Sequence, residues 1–398
     1  MSTITVDENV RVTPSAKPIQ TPAVVPAVLL LIAGAIYIAQ TVKGRQALLF
    51  LLGAMAGLVL YHAAFGFTSA WRVFITDRRG GGLRAQMLML AVATVLFVPS
   101  LASGTLFGQT VRGSISPVGL AVVAGAFMFG AGMQLGGGCA SGTLYAAGGG
   151  SVRMLVTLAM FIAGSVIGTV HAAWWARTPA IKPFSLLERF GAAPALALSV
   201  AAFGLIAWAT ITLERKRHGR LVPEGPRGSW LQGPWPMVWG AIGLAMVNFA
   251  ALALSGRPWG ITSAFALWGA KILAGSGVNV AAWPYWMDAS RASQLKAGVL
   301  TDVTSVMNFG IMIGAFIAAG LAGRIGRQWR VPAKSLTAAV AGGLVMGYGA
   351  RIGFGCNIGA YFGGVISTSL HGWLWFVSAL AGSVIGTRMR PWFGLSVR

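Results

Sequence analysis

The 398-residue chain has two cysteines, and both stand among glycines: GGGCA at 136–140 and GFGCN at 353–357. A lone buried thiol is normally a small hydrophobe. It is also a weak hydrogen-bond donor that suits a polarizable partner such as a terminal sulfur. Two thiols in one repeated setting, with none elsewhere, point to a shared task. The setting is a gapless alignment of GAGMQLGGGCASG (130–142) with GYGARIGFGCNIG (347–359), which share G-x-G-x-x-x-G-x-G-C-x-x-G. Neither cysteine has the C-x-x-C spacing of a metal site, and whether the pair forms a bridge is open at this level. No metal and no cofactor are expected.

A short helix beginning at each cysteine would aim unpaired backbone N–H groups and the positive end of its dipole at the solute. Gly138 and Gly355 permit close approach of the backbone, and Ser141 and Asn357 add polar side chains. The result would be an anion site with a soft sulfur donor at its centre. A dianion repels a thiolate, so the thiol is expected protonated when the solute is bound.

Other polar candidates are few. Arg351 lies five residues before Cys356, at the repeat position of Gln134. An arginine so deep in an apolar tract is a functional candidate by default, with snorkelling as the alternative. Thr68 and Thr262, with Ser69 and Ser263, belong to the matching stretches GFTSA (66–70) and GITSA (260–264). Their hydroxyls would line a path or cap short helices. Lys271 and Arg72 carry weaker forms of the arginine argument. None of the eight acidic residues falls in a cysteine element, which leaves little for a carboxylate proton relay. His62, His171 and His371 are expected at span ends, and Trp174, Trp175, Trp373 and Trp375 in interfacial belts.

The elements that must hold these residues are membrane helices. Hydrophobic residues make up 56% of the chain and charged ones 10%, far from the roughly 25% charge of soluble domains. Runs at 23–42, 193–213 and 303–322 reach the ~20 apolar residues that cross a bilayer, and about ten such spans are expected in the lipid bilayer. The first run is expected to be a retained helix and not a signal peptide, because a long segment of mixed charge precedes it. The net charge of +22 sits in short loops at 76–84, 214–220, 323–330 and 388–390. That is the positive-inside pattern, and no nucleic-acid partner is expected.

AGSVIGT occurs at 163–169 and again at 381–387, so three elements recur in one order. The chain therefore reads as an all-α polytopic membrane protein, an inverted repeat with short re-entrant helices. Its expected parts are a cytoplasmic tail (1–22), an extra first helix and loop (23–46), repeat A (47–170), a connector with one helix (171–235) and repeat B (236–398). Threading the chain with re-entrant cysteine elements puts all four basic loops and both termini in the cytoplasm, with Lys43 and Arg45 on the other side. Cys139 then approaches the midplane from the cytoplasm and Cys356 from outside.

The paired G-x-G-C-x-x-G motifs in inverted hydrophobic repeats resemble the YeeE/YedE sulfur-transport family, over about residues 47–388. The resemblance implies an hourglass of membrane and re-entrant helices, with cysteines that pass thiosulfate by S–H to sulfur hydrogen bonds. Those roles fall on Cys139 and Cys356. Thiosulfate-transporting members share a further cysteine in the first re-entrant element, where this chain has GFTSA with Thr68 near that place. The family also includes proteins associated with selenium metabolism, and it often accompanies small TusA-like cytoplasmic sulfur carriers, so such a partner is implied. The expectation is a bacterial inner-membrane permease, not an enzyme, that takes up a small sulfur-containing anion, thiosulfate first. The alternatives are transport of another sulfur or selenium species, a sulfur relay through cysteine persulfide, and a scaffold bridged by its cysteines.

Overall fold

The computed structural model describes residues 18–222, 228–325 and 330–397. Most of the expected N-terminal tail, and positions 326–329 of the third basic loop, lie outside the described residues. Helices α1 (Thr21–Thr41) and α2 (Gly44–His62) are followed by α3 (Phe67–Asp77), α4 (Gly81–Ser103), α5 (Leu120–Gly136), α6 (Ala140–Gly148) and α7 (Val152–Trp175). A short α8 (Leu186–Phe190) and the long α9 (Ala192–His218) lead to α10 (Met237–Ser255), α11 (Thr262–Gly275), α12 (Ala289–Lys296), α13 (Val303–Leu321) and α14 (Ala333–Ile352). A π-helical turn at Asn357–Phe362 runs into α15 (Gly363–Ile366), and α16 (Leu370–Met389) follows. Two antiparallel two-residue pairings, Thr105 with Thr110 and Val118 with Ile181, trim loops at one end.

Among the described residues, nine helical stretches are long and apolar enough to cross a membrane. Helix α14 is as long as these but falls outside that set; it is glycine-rich and packs between α5 and α7. By contrast α3, α6, α11 and the Asn357–Ile366 stretch are short. At 1.5 Å per residue, a helix as short as α6 covers roughly half of the ~30 Å hydrocarbon core.

Glycines where helices cross reveal the symmetry. A side chain at Gly130 of α5 would strike the Ala379 carbonyl of α16, and one at Gly347 of α14 would strike the Phe161 carbonyl of α7. These are the same contact in the two copies. Gly164 on the Leu344 carbonyl and Gly382 on the Phe127 carbonyl are another such pair. Even a hydrogen bond repeats: Ser165 donates to the Gly347 carbonyl at 3.4 Å, and Ser383 to the Gly130 carbonyl at 3.2 Å. Small residues at these places let the backbones approach closely.

The copies run in opposite directions. Gly125 of α5 meets Gly349 and Gly353 of α14, whereas Gly132 meets Gly342 and Met346. The numbers rise along one helix as they fall along the other, so these repeat mates are antiparallel. Helices α2 and α10 cross the same way, Ala63 meeting Gly240 and Val59 meeting Gly243.

Two basic loops meet at one end. The Glu214 carboxylate, fully buried, accepts from the Gly80 amide (3.0 Å), Arg84 Nη1 (2.7 Å) and the Val222 amide (3.1 Å). The expected belt role is wrong for Trp375, which is 0% exposed and stacks 6.4 Å from Tyr361. His371 is likewise buried, its Nδ1 2.7 Å from Ser369 Oγ, and not interfacial.

The second copy carries an insertion that the first lacks. The copies diverge after their second element: three residues, 78–80, join α3 to α4, whereas residues 276–302 separate α11 from α13 and fold into three 3-10 turns and α12.

Candidate functional site

Cys139 is the extended residue immediately before α6, and its carbonyl accepts the Thr143 N–H at 2.7 Å. Its sulfur lies 3.4 Å from Ser141 Oγ, and the backbone amides of Ser141, Gly142 and Phe67 are within hydrogen-bonding reach. Because Phe67 is the first residue of α3, the N-termini of two short helices converge on this thiol. A Cβ on Gly138 would come within 3.1 Å of Gly142 C and Thr143 N, so glycine eases the close passage of the chain over the first turn.

Cys356 repeats the arrangement. It is extended, it precedes the π-helical turn, and its carbonyl accepts from Ala360 N–H at 2.9 Å and Tyr361 N–H at 3.3 Å. The Ile358 and Gly359 amides reach its sulfur. Gly355 has φ +146°, and a Cβ there would stand 2.9 Å from Ala360 N; Gly138 and Gly355 thus do one job at matching positions. Both thiols are free and 1% exposed, and α6 touches the π-helical turn. The two cysteine elements meet inside the protein.

Around them lie buried polar atoms without hydrogen-bond partners: Thr68 Oγ1, Thr143 Oγ1, both side-chain atoms of Asn357 and the Tyr361 hydroxyl. Such atoms are rare in folded proteins, and each calls for a ligand, a water or a role. Thr68 is the second residue of α3, next to the amide that reaches Cys139. Tyr361 is held by Phe376, stacked at 4.9 Å, and by Phe67 and Trp71, edge-on at 6.1 and 6.0 Å. Thr143 and Tyr361 escaped the sequence reading, because one hydroxyl or ring in an apolar run carries no periodic signal.

A cavity of about 250 Å³ opens beside Cys356, lined by Arg257, Arg351, Thr262, Ser263, Gly355 and Gly359 among others. Four sequence candidates, Arg351, Thr262, Ser263 and Gly355, therefore share one wall. The other copy has a cavity of about 180 Å³ at the equivalent place, lined by Ala64, Phe65, Gly66 and Ser69 among others, but the repeat mate of Arg351 takes no part in it. Gln134, the repeat mate of Arg351, is 0% exposed, donates to the Thr68 carbonyl at 3.1 Å and accepts from Arg72 at 3.5 Å. Arg390 donates to the Gln134 carbonyl, and Arg153 to the carbonyls of Leu135 and Gly136 at 2.6 Å. Lys271 is structural: its Nζ donates to the Leu295 and Ala297 carbonyls at 2.7 Å each, and so caps α12.

Residues 62–385 match the profile of the family described as Sulphur transport. The chain belongs to that family. Among Sulphur transport relatives, it is 31% identical over 174 residues to "Probable transporter YedE" of Salmonella typhimurium, a match that covers 43% of this chain and 42% of the relative. The chain thus spans about two fifths of the length of that YedE relative. Its similarity to "Thiosulfate transporter TsuA" of Spirochaeta thermophila is 28% over 366 residues, covering 84% of this chain and 95% of that one. TsuA of Escherichia coli is 25% identical over 352 residues, with 83% and 90% covered. As a Sulphur transport protein with nine candidate membrane helices among its described residues, the chain is a multi-pass membrane protein.

Proposed function

We propose that this protein is a permease of the inner membrane that takes up a small sulfur-containing anion, thiosulfate first, past Cys356 and then Cys139. One observation carries the proposal: two free, buried thiols stand immediately before matching helical turns in elements that touch. Amide dipoles suit an anion, and an S–H donor suits the terminal sulfur of thiosulfate. Two relatives named as thiosulfate transporters, matched over most of their length, support the same substrate.

Uptake of labelled thiosulfate by a sulfur-starved host expressing the protein tests the proposal. Cys139→Ala and Cys356→Ala together should abolish rescue, and normal growth of the double variant would sink the cysteine mechanism. Competition by unlabelled sulfite and selenium oxyanions ranks the substrates. A persulfide relay predicts instead a covalent mass increase on Cys139 or Cys356 after turnover. A TusA-like carrier as acceptor on the cytoplasmic side is part of the same proposal, tested by co-purification in the presence of thiosulfate.

A further inference from the structure

A larger cavity, of about 630 Å³, lies where α4 ends and α9 begins, at the opposite end of both helices from Glu214. Its walls include Leu101 near the end of α4, Ile115 in the loop that follows, Leu187 of α8 and Ala192 at the start of α9. A spanning helix ends where hydrocarbon gives way to headgroups. The cavity therefore stands at headgroup level, in the outer leaflet of the orientation read from the loop charges. One cation and one anion line it, Arg112 and Glu188, and no other charged side chain does so among the described residues. The two form no ion pair with each other or with any other described group. The carboxylate sets this cavity apart from those beside Cys356 and Gly66, which arginines line without an acidic side chain.

Both charged residues are carried on backbone that is already fixed. The Arg112 amide donates to the Gly256 carbonyl at 2.8 Å. The Leu186 amide donates to the Thr368 carbonyl at 2.9 Å and the Leu187 amide to Thr368 Oγ1 at 3.1 Å, which pins α8 and with it Glu188. Ser367, also in the wall, accepts the Ser114 amide at 2.9 Å. A site that is set before its occupant arrives loses little to ordering. The cavity also marks a gap in how α9 is held. Helix α9 packs on α4, and one end of the pair is tied by Glu214 to Gly80 and Arg84. At the other end the cavity lies between the two helices.

We propose that this cavity is a binding site for one phospholipid with a primary-amine headgroup, which fastens α9 to α4. Its phosphate sits on Arg112, whose planar guanidinium presents two N–H donors to two phosphate oxygens. Its ammonium donates to the Glu188 carboxylate, and the first methylenes lie on Leu101, Ile115 and Leu187. A choline headgroup has no N–H to give Glu188. A glycerol headgroup sets the lipid's negative charge against that carboxylate with no cation between them. No residue of the cavity beside Cys356 takes part.

The full chain is stripped of lipid in detergent, and its unfolding midpoint is followed as phosphatidylethanolamine, phosphatidylcholine or phosphatidylglycerol is added to the micelles. Binding to the folded chain raises the midpoint. Half of the full rise should come at an about tenfold lower mole fraction of phosphatidylethanolamine than of either other lipid. Arg112 and Glu188 are exposed, so their variants keep the fold. Glu188→Gln should erase the preference, and Arg112→Gln should raise the half-point for phosphatidylethanolamine about tenfold. Arg189→Gln, next in the chain but outside the lining, should keep the parent values. Equal half-points for the three lipids in the parent, or a preference that survives Glu188→Gln, overturns the proposal. So does an equal rise from water-soluble phosphoethanolamine at the same concentration, which would make the occupant a free amine phosphate and not a lipid.

Discussion

Asn357 is the residue whose neighbours say most about it. It is fully buried beside Cys356, and neither its amide nitrogen nor its oxygen has a partner. A buried amide of that kind costs about 1–3 kcal/mol, so Asn357→Ala should leave thermal unfolding in detergent unchanged or raise its midpoint. Thiosulfate uptake by the same variant should fall about tenfold or more, since a charge-assisted bond to the ion is lost. Gln134→Ala is the counter-case. It removes a bond to the Thr68 carbonyl and should cost about 1–3 kcal/mol of stability. A lower midpoint for Asn357→Ala than for Gln134→Ala would contradict this contrast. At this scale the cysteines, with Gly138 and Gly355, were legible in the sequence because repetition marks them. Arg257 was not, because it lies outside both repeated motifs and only the folded chain brings it beside Arg351.

Elements are set by where backbones cross. Gly130→Leu and Gly347→Leu press the same side chain onto equivalent carbonyls, and overpacking costs about 1–3 kcal/mol or more. Both should therefore lose folded protein alike, whereas Gly204→Leu on α9, where nothing lies within 4 Å, should be tolerated. Yield after size-exclusion chromatography decides; loss in only one of the mated pair would break the equivalence. Lys271→Met should free the end of α12, which it ties through the Leu295 and Ala297 carbonyls. Faster proteolysis within 289–301 in the folded variant is the expected readout. The crossings could be anticipated because glycine spacing is written twice. Residues 276–302 were invisible to the same comparison, since an insertion has no mate to align. Trp375 was misplaced because residue type alone does not separate an interfacial tryptophan from one stacked on a buried tyrosine.

At the scale of the molecule, opposite senses of α5 and α14, and of α2 and α10, make the halves inverted copies, as the loop charges had suggested. Reporter fusions near residues 79, 219 and 390 should all score as cytoplasmic, and fusions near 108 and 296 as external. An external score at 219 would reverse the proposed orientation, because Glu214 ties that loop to the one around Arg84. Glu214→Gln should cost about 1–3 kcal/mol, since the charge-assisted bond to the partly exposed Arg84 is weakened, read as a lower unfolding midpoint. In the proposed path the two thiol elements match while their flanks differ, Arg351 standing where the other copy has Gln134, and neither thiol step consumes energy. Net flow is then set by the chemical potential on each side, and chemistry that consumes the ion after arrival would keep the traffic inward.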